Sequence, residues 1–191
     1  MKICKISLTS KAVSGSKEHL VYHPKNIVVG VGCERGTDPE ELISLVRNTL
    51  KKNMIAPESV AVVVSIDLKS DEPAIHALTE KLVDKPGESS PARFFDAVAL
   101  EEQTPKLHNP SKTVFKEVGC HGVAEGAALA AAGKSGKLVI PKIKSKHATC
   151  AVAESDELID PQKTGKSQGT LFIVGTGPVS YTHLRAHETL R

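Results

Sequence analysis

Apolar residues along this chain alternate between two spacings, and the alternation lays out its elements. Ile27, Val28, Val29 and Val31 form a β-branched run without polar alternation, which predicts a central strand covered on both faces and closing on Gly30 and Gly32. Asp38 as cap, Pro39 at the first helical position and Glu41 three residues after the cap predict a helix start. Its apolar residues Leu42, Leu45, Val46 and Leu50 recur at i, i+3, i+4 and i+8, one inward face. Ser59 to Ser65 is the next buried strand, so strand, helix and strand imply a parallel pair with a right-handed crossover. Pro73 then opens a helix with Ile75, Leu78 and Leu82 inward, and Arg93, Phe94 and Phe95 make a third short strand. Asp96 caps a helical turn reaching Glu102, and Asn109, Pro110 and Ser111 start a helix that carries Val114, Phe115 and Val118 inward and stops at Gly119. From Gly119 to Gly133 runs a glycine turn and a small-residue helix, and Lys137 to Glu154 reads as two strands joined by a turn near Ser145 and Lys146. Ahead of all this, Met1 to His23 holds one strand-like piece, Ile3 to Leu8, and an apolar pair at Leu20 and Val21. The fold class is α/β.

Composition narrows the function classes. A chain of 191 residues with 40% hydrophobic content can bury one core with a short appendage. Aromatics at 3%, no Trp and a net charge of +3 leave little with which to stack bases, so nucleic acid is not the expected partner. Cys4, Cys33, Cys120 and Cys150 are scattered without a C-x-x-C pair, which predicts free thiols, a reducing cytoplasm and no metal site. No apolar run approaches the length of a membrane span, so no membrane partner is expected.

The candidate chemistry clusters at predicted strand ends. The turn holding Gly30, Gly32 and Gly36 delivers Cys33, Glu34 and Arg35 to a helix start, where backbone N–H groups can face an anion. Its spacing is neither the dinucleotide fingerprint nor a phosphate loop, and a tight turn alone would also require the glycines. Asp67, Lys69 and Glu72 follow the second parallel strand, at the edge where open α/β sheets bind ligands; the plainer alternative is loop charge and helix capping. Cys120, His121 and Glu125 stand at the amino-terminal end of the alanine-rich helix, where the helix dipole favours a neutral His121 suited to act as a general base. Lys142, Lys144 and Lys146 alternate at period two and share one strand face, as a clamp for carboxylates or as protection of an outer edge.

The blocks VVGVGCERGT, SIDLKSDEPAI, ARFF, NPS, GVAEGAAL and LVIPKIKSKHATCAVAE occur in the order and approximate spacing of the carboxy-terminal domain of cobalt-precorrin-5A hydrolase, and from about Pro24 to Glu154 the chain resembles this CbiG/CobE family. The resemblance implies a three-layer α/β/α domain with a mostly parallel sheet and a carboxy-terminal hairpin. It implies a part in cobalamin biosynthesis, in which the δ-lactone of a cobalt-corrinoid intermediate is opened and the extruded carbon leaves as acetaldehyde. No organic cofactor is implied, and cobalt is carried by the corrinoid substrate; other cobalamin-pathway enzymes are the expected partners. Such a reaction needs a base, for which Glu34, Asp67, Glu72, His121 and Glu125 are candidates, with Cys33 as an alternative nucleophile. N–H groups around Gly32 to Gly36 are candidate oxyanion donors, and Arg35, Lys69 and the lysine face are candidate carboxylate holders.

Two departures bear on this reading. Residues 1–23 read as the remnant of a preceding domain, so the pocket is expected to be incomplete. Residues 155–168 read as a loosely held linker, and 169–178, GTLFIVGTGP, resembles the opening strand of precorrin-3B C17-methyltransferase, with Val179 where that family has glycine. Residues 179–191 resemble translated adapter read-through, a non-native tail. A non-catalytic corrinoid-binding module is the rival reading from another class. An unrelated nucleotide-binding domain would explain the glycine turn alone.

Overall fold

A computed structural model describes residues 4–83 and 90–167. Strands β1 (Lys5–Leu8) and β2 (His19–Tyr22) pair in parallel as a small separate sheet. The main sheet begins with β3 (Ile27–Cys33), followed by α1 (Pro39–Lys52), β4 (Val60–Ile66), α2 (Pro73–Lys81) and β5 (Ala92–Phe95). After it come α3 (Ala97–Glu101), α4 (Lys112–Val118), α5 (Val123–Ala132) and the hairpin strands β6 (Lys137–Lys144) and β7 (Ala148–Glu154).

The sheet runs β5-β4-β3-β7-β6. β3 pairs in parallel with β4, and β4 with β5, as two strand–helix–strand crossovers require. The hairpin folds back so that β7 lies antiparallel beside β3, with β6 outside it. This corrects the expectation of a mostly parallel sheet: the sheet is mixed, with two parallel and two antiparallel pairings. Composition explains which hairpin strand goes inside. β7 offers Ala148, Cys150, Ala151, Val152 and Ala153, all buried, whereas β6 carries lysines that need water.

Alternate residues of β3 feed two cores. Ile27, Val29 and Val31 join Leu42, Val46 and Leu50 of α1 and Ile75 and Leu78 of α2. Val28 joins Ala127, Ala128 and Ala131 of α5 and Leu100 of α3. The side-chain period of two in a strand thus supplies both faces from one apolar run. In α1, Asp38 accepts from the Glu40 amide at 3.1 Å, and Ile43 is buried where the periodicity had named Leu45, which is only half-buried.

Gly30 sets the spacing of the second face. A Cβ there would lie 2.0 Å from the Ala124 carbonyl oxygen and 2.9 Å from the Ala128 Cβ, so α5 sits against the strand backbone itself. Two expectations are overturned outside the core. Phe115 of α4 is 43% exposed rather than inward, and α4 fully buries no residue: Phe115 stacks on the His121 ring, while Val118 packs, partly buried, against the second core. The segment after β7 is docked rather than loose: the Ser155 and Ile159 amides donate to the Asn26 and Lys25 carbonyls at 2.9 Å each, and Lys166 and Phe94 exchange two backbone hydrogen bonds of 2.8 Å. Residues 168–191, including the expected methyltransferase-like stretch and tail, lie outside the described residues.

Candidate functional site

The turns after β3 and β4 open on the same edge of the sheet and are stitched together. Gly36 takes φ +71°, a left-handed conformation that glycine adopts without a Cβ clash, and its amide donates to Glu72 Oε1 at 3.1 Å. The Arg35 guanidinium donates to both Asp71 carboxylate oxygens at 2.7 Å and to the Leu68 carbonyl at 2.8 Å. Arg35 and Glu72 therefore tie loop to loop. The neighbouring N–H groups are engaged as well, that of Glu34 with the His147 carbonyl at 3.0 Å and that of Thr37 with the Glu34 carbonyl. These amides are structural donors, not a free oxyanion hole.

A cleft of about 440 Å³ opens between these turns, the start of α5, α4 and the hairpin. Gly32, Cys33 and Glu34 line it from the end of β3, Lys69 from the turn after β4, and Lys142, Lys144, Lys146 and His147 from the hairpin. The lysine stripe thus faces a concavity that the turn after β3 also faces. A second depression of about 390 Å³ lies between α1 and β6; of the candidate residues named from sequence it takes in only Lys144.

The remaining candidates are placed elsewhere. Gly30 is under α5, Arg35 and Gly36 face the Asp71 and Glu72 loop, and Asp67 opens a short 3-10 turn, its carbonyl accepting from the Ser70 amide. Glu125 is 1% exposed, and its carboxylate accepts four hydrogen bonds: from the amides of His108 (2.9 Å), Asn109 (3.0 Å) and Lys142 (2.8 Å) and from Asn109 Nδ2 (2.8 Å). Burial opposes ionisation of Glu125, but these donors outweigh it and hold the carboxyl below its usual range. Its lone pairs are spent on fixing the loop at 108–109 to β6. The Lys142 ammonium continues that link by donating to the Asn109 carbonyl at 2.9 Å; burial first, then Lys144, lowers its pKa.

His121 does not border the cleft. Its Nδ1 lies 2.9 and 3.0 Å from the Glu101 oxygens, its amide donates to Glu101 Oε2 at 3.0 Å, and its ring stacks on Phe115 with centroids 4.5 Å apart. The expectation that the dipole of α5 governs this ring gives way to a carboxylate in direct contact. Cys33 does border the cleft, but burial, then the Glu72 charge, pushes its thiol up to about 11. Such a thiol is protonated near neutrality and is a poor nucleophile unaided.

Sequence reasoning passed over His147. Its Nδ1 lies 2.8 Å from Glu34 Oε2, its amide donates to Glu41 Oε1 at 2.8 Å, and both His147 and Glu34 border the cleft. The Ser145 hydroxyl also donates to Glu41, and these two bonds hold the Glu41 carboxyl below its usual range. The one signal in the sequence is a histidine directly after the last lysine of the stripe.

Residues 27–153 match the family described as Cobalamin synthesis G C-terminus. The chain belongs to that family. It is 45% identical over 127 residues to Protein CobE of Sinorhizobium sp, covering 66% of this chain and 79% of that protein. Over 134 residues it is 32% identical to cobalt-precorrin-5A hydrolase of Priestia megaterium, covering 70% of this chain but only 33% of the hydrolase. The crystal structure of CobE, described as a protein from the cobalamin (vitamin B12) biosynthetic pathway, superposes with a TM-score of 0.62 at 32% identity, covering 72% of this chain and 94% of that one. The CbiG/CobE domain expected from the six sequence blocks is therefore the domain present, and cobalamin biosynthesis is its setting. No described helix is long and apolar enough to cross a membrane, and no described group of three or more His, Cys, Asp or Glu is placed to hold a metal ion.

Proposed function

We propose that this domain binds a cobalt-corrinoid and opens the δ-lactone of cobalt-precorrin-5A, after which the extruded carbon leaves as acetaldehyde. The observation that carries the reading is the cleft itself: Lys69, Lys142, Lys144 and Lys146 line one concavity of about 440 Å³ at the sheet edge where the β3 and β4 turns meet. Corrinoid intermediates carry several carboxylates, and ammonium groups on two walls suit such a ligand. The volume admits one edge of a macrocycle, leaving the rest of the ring outside. The 32% identity to a cobalt-precorrin-5A hydrolase supports the reaction class. In this reading cobalt arrives with the substrate, the cytoplasm is the setting, and the neighbouring pathway enzymes supply and remove the corrinoid.

The lysines also suit the reaction. Attack of water on a lactone carbonyl builds charge on its oxygen, and with the Glu34, Gly36 and Thr37 amides already engaged, a cleft-lining ammonium is the available stabiliser. The rival reading, a module that holds the corrinoid without turnover, draws support from the chain spanning only 33% of the hydrolase it matches. Anaerobic incubation with cobalt-precorrin-5A, following bound corrinoid and released acetaldehyde, separates the two. Acetaldehyde above the no-protein rate is the expected result; binding without it favours the holding module, and neither would overturn both.

A further inference from the structure

Two described histidines are braced by a carboxylate at Nδ1, and only one of them faces the cleft. His121 is held by Glu101 but stacks on Phe115 away from it. His147 is held by Glu34, a residue 113 positions away in the chain, and both border the cleft. The pair is fixed at backbone level on both sides, since the Glu34 amide donates to the His147 carbonyl at 3.0 Å and the His147 amide donates to Glu41 at 2.8 Å. In the tautomer that donates its Nδ1 proton to Glu34, the ring keeps its Nε2 lone pair for another proton. The His147 side chain is 40% exposed, so a ligand seated among the lysines can reach it. Two other candidates do not compete: the Glu125 carboxylate lies outside the cleft and is saturated by four donors, and the Cys33 thiol at the cleft border has no histidine hydrogen-bonded to it among the described residues.

We propose that His147, oriented by Glu34, is the proton-transfer group of this cleft. The proposal rests on the lactone-opening reading and assigns its base. A water oxygen bonds to the lactone carbonyl carbon and its proton passes to His147 Nε2, while the C=O electron pair moves onto oxygen. The tetrahedral species then re-forms C=O and breaks the bond to the ring oxygen, which takes the proton back from Nε2. One water is consumed, a carboxylic acid and an alcohol result, the acid proton goes to solvent, and nothing is oxidised or reduced. Glu34 is a positioning residue: it fixes the tautomer and steadies the transient imidazolium, as carboxylates do for catalytic histidines elsewhere. The charges around the ring are Glu34 after β3, Glu41 on α1, Lys69 after β4, Glu117 on α4, and Lys142, Lys144 and Lys146 on its own hairpin.

The test uses the full chain with cobalt-precorrin-5A under anaerobic conditions. H147Q and H147A are expected to lower kcat by about 100-fold or more while corrinoid binding persists, the usual scale for losing a general base. Exogenous imidazole is expected to restore turnover to H147A, which a merely structural role would not allow. E34Q is expected to lower kcat about tenfold with KM unchanged and to displace the acid limb of the pH–rate profile, whereas H121Q stays within about threefold of the unaltered chain. Turnover within about threefold in H147Q, or an equal loss in H121Q and H147Q, overturns the assignment. No acetaldehyde from the unaltered chain overturns the lactone-opening reading, and the assignment with it.

Discussion

Replacing Glu125 by glutamine separates a scaffold carboxylate from a catalytic one. The side chain keeps its shape, but one accepting oxygen becomes an NH₂ group, so two of the four donors that now meet Glu125 would face N–H. A buried donor left unsatisfied costs about 1–3 kcal/mol, and part of the sum returns because a neutral amide is easier to bury than a carboxylate. The net expectation is a loss of about 3 kcal/mol. With a urea dependence of about 2 kcal/mol per M for a domain of this size, the unfolding midpoint falls by about 1.5 M. The pH dependence follows from the direction of the Glu125 shift. Its folded-state pKa lies below the unfolded value, so its stabilisation is fully present above that unfolded value, near about 4.3, and fades as the pH falls through the folded one. Parent and E125Q should therefore differ most at neutral pH and converge in acid. Urea titrations followed by circular dichroism at pH 7 and in acid measure this. An E125Q midpoint within about 0.3 M of the parent at pH 7, together with abolished turnover, would refute the argument and restore Glu125 as a candidate base.

Two further expectations follow from the strand that carries the site. Gly30→Ala should cost about 3 kcal/mol or more, because the added methyl meets the Ala124 carbonyl rather than a movable side chain, while Gly36→Ala, open but left-handed, should cost about 1 kcal/mol. Urea midpoints rank the pair, and the opposite order would mean α5 is not seated on Gly30. In a C4S background, Cys33 at pH 8 should react with iodoacetamide about ten- to twentyfold more slowly than a free thiol, since a far smaller thiolate fraction is only partly offset by its higher intrinsic nucleophilicity. Alkylation at the free-thiol rate would show that burial and Glu72 do not hold Cys33 protonated.

What could be read before folding was whatever depends on neighbours in the chain. The β-branched run at Ile27 to Val31, the glycine turn that follows it and the Asp38–Pro39 helix start are local consequences of rotamer, backbone and capping preferences. Six blocks in order were enough to name the CbiG/CobE domain. The period of two put Lys142 and Lys144 on one strand face, and the tertiary structure gave that face a cleft. Apolar spacing along a short helix does not show that Val118 packs against the core while Phe115 stays exposed against the His121 ring.

The remainder was decided by long-range pairing, which leaves no periodic trace. β7 enters beside β3 because it can be buried on both faces and β6 cannot, and that insertion brings His147 to Glu34 across 113 residues. Glu125 reads in sequence as a free carboxylate near a helix start, and becomes a spent one only when the loop at 108–109 and β6 close over it. Sequence alone determined which segments are strands and helices and which family they form, because those follow from local preferences and from order. Which carboxylates are saturated, which histidine faces the lysines and which glycine bears a helix depended on the tertiary structure, because hydrogen bonds and close contacts act through space rather than along the chain.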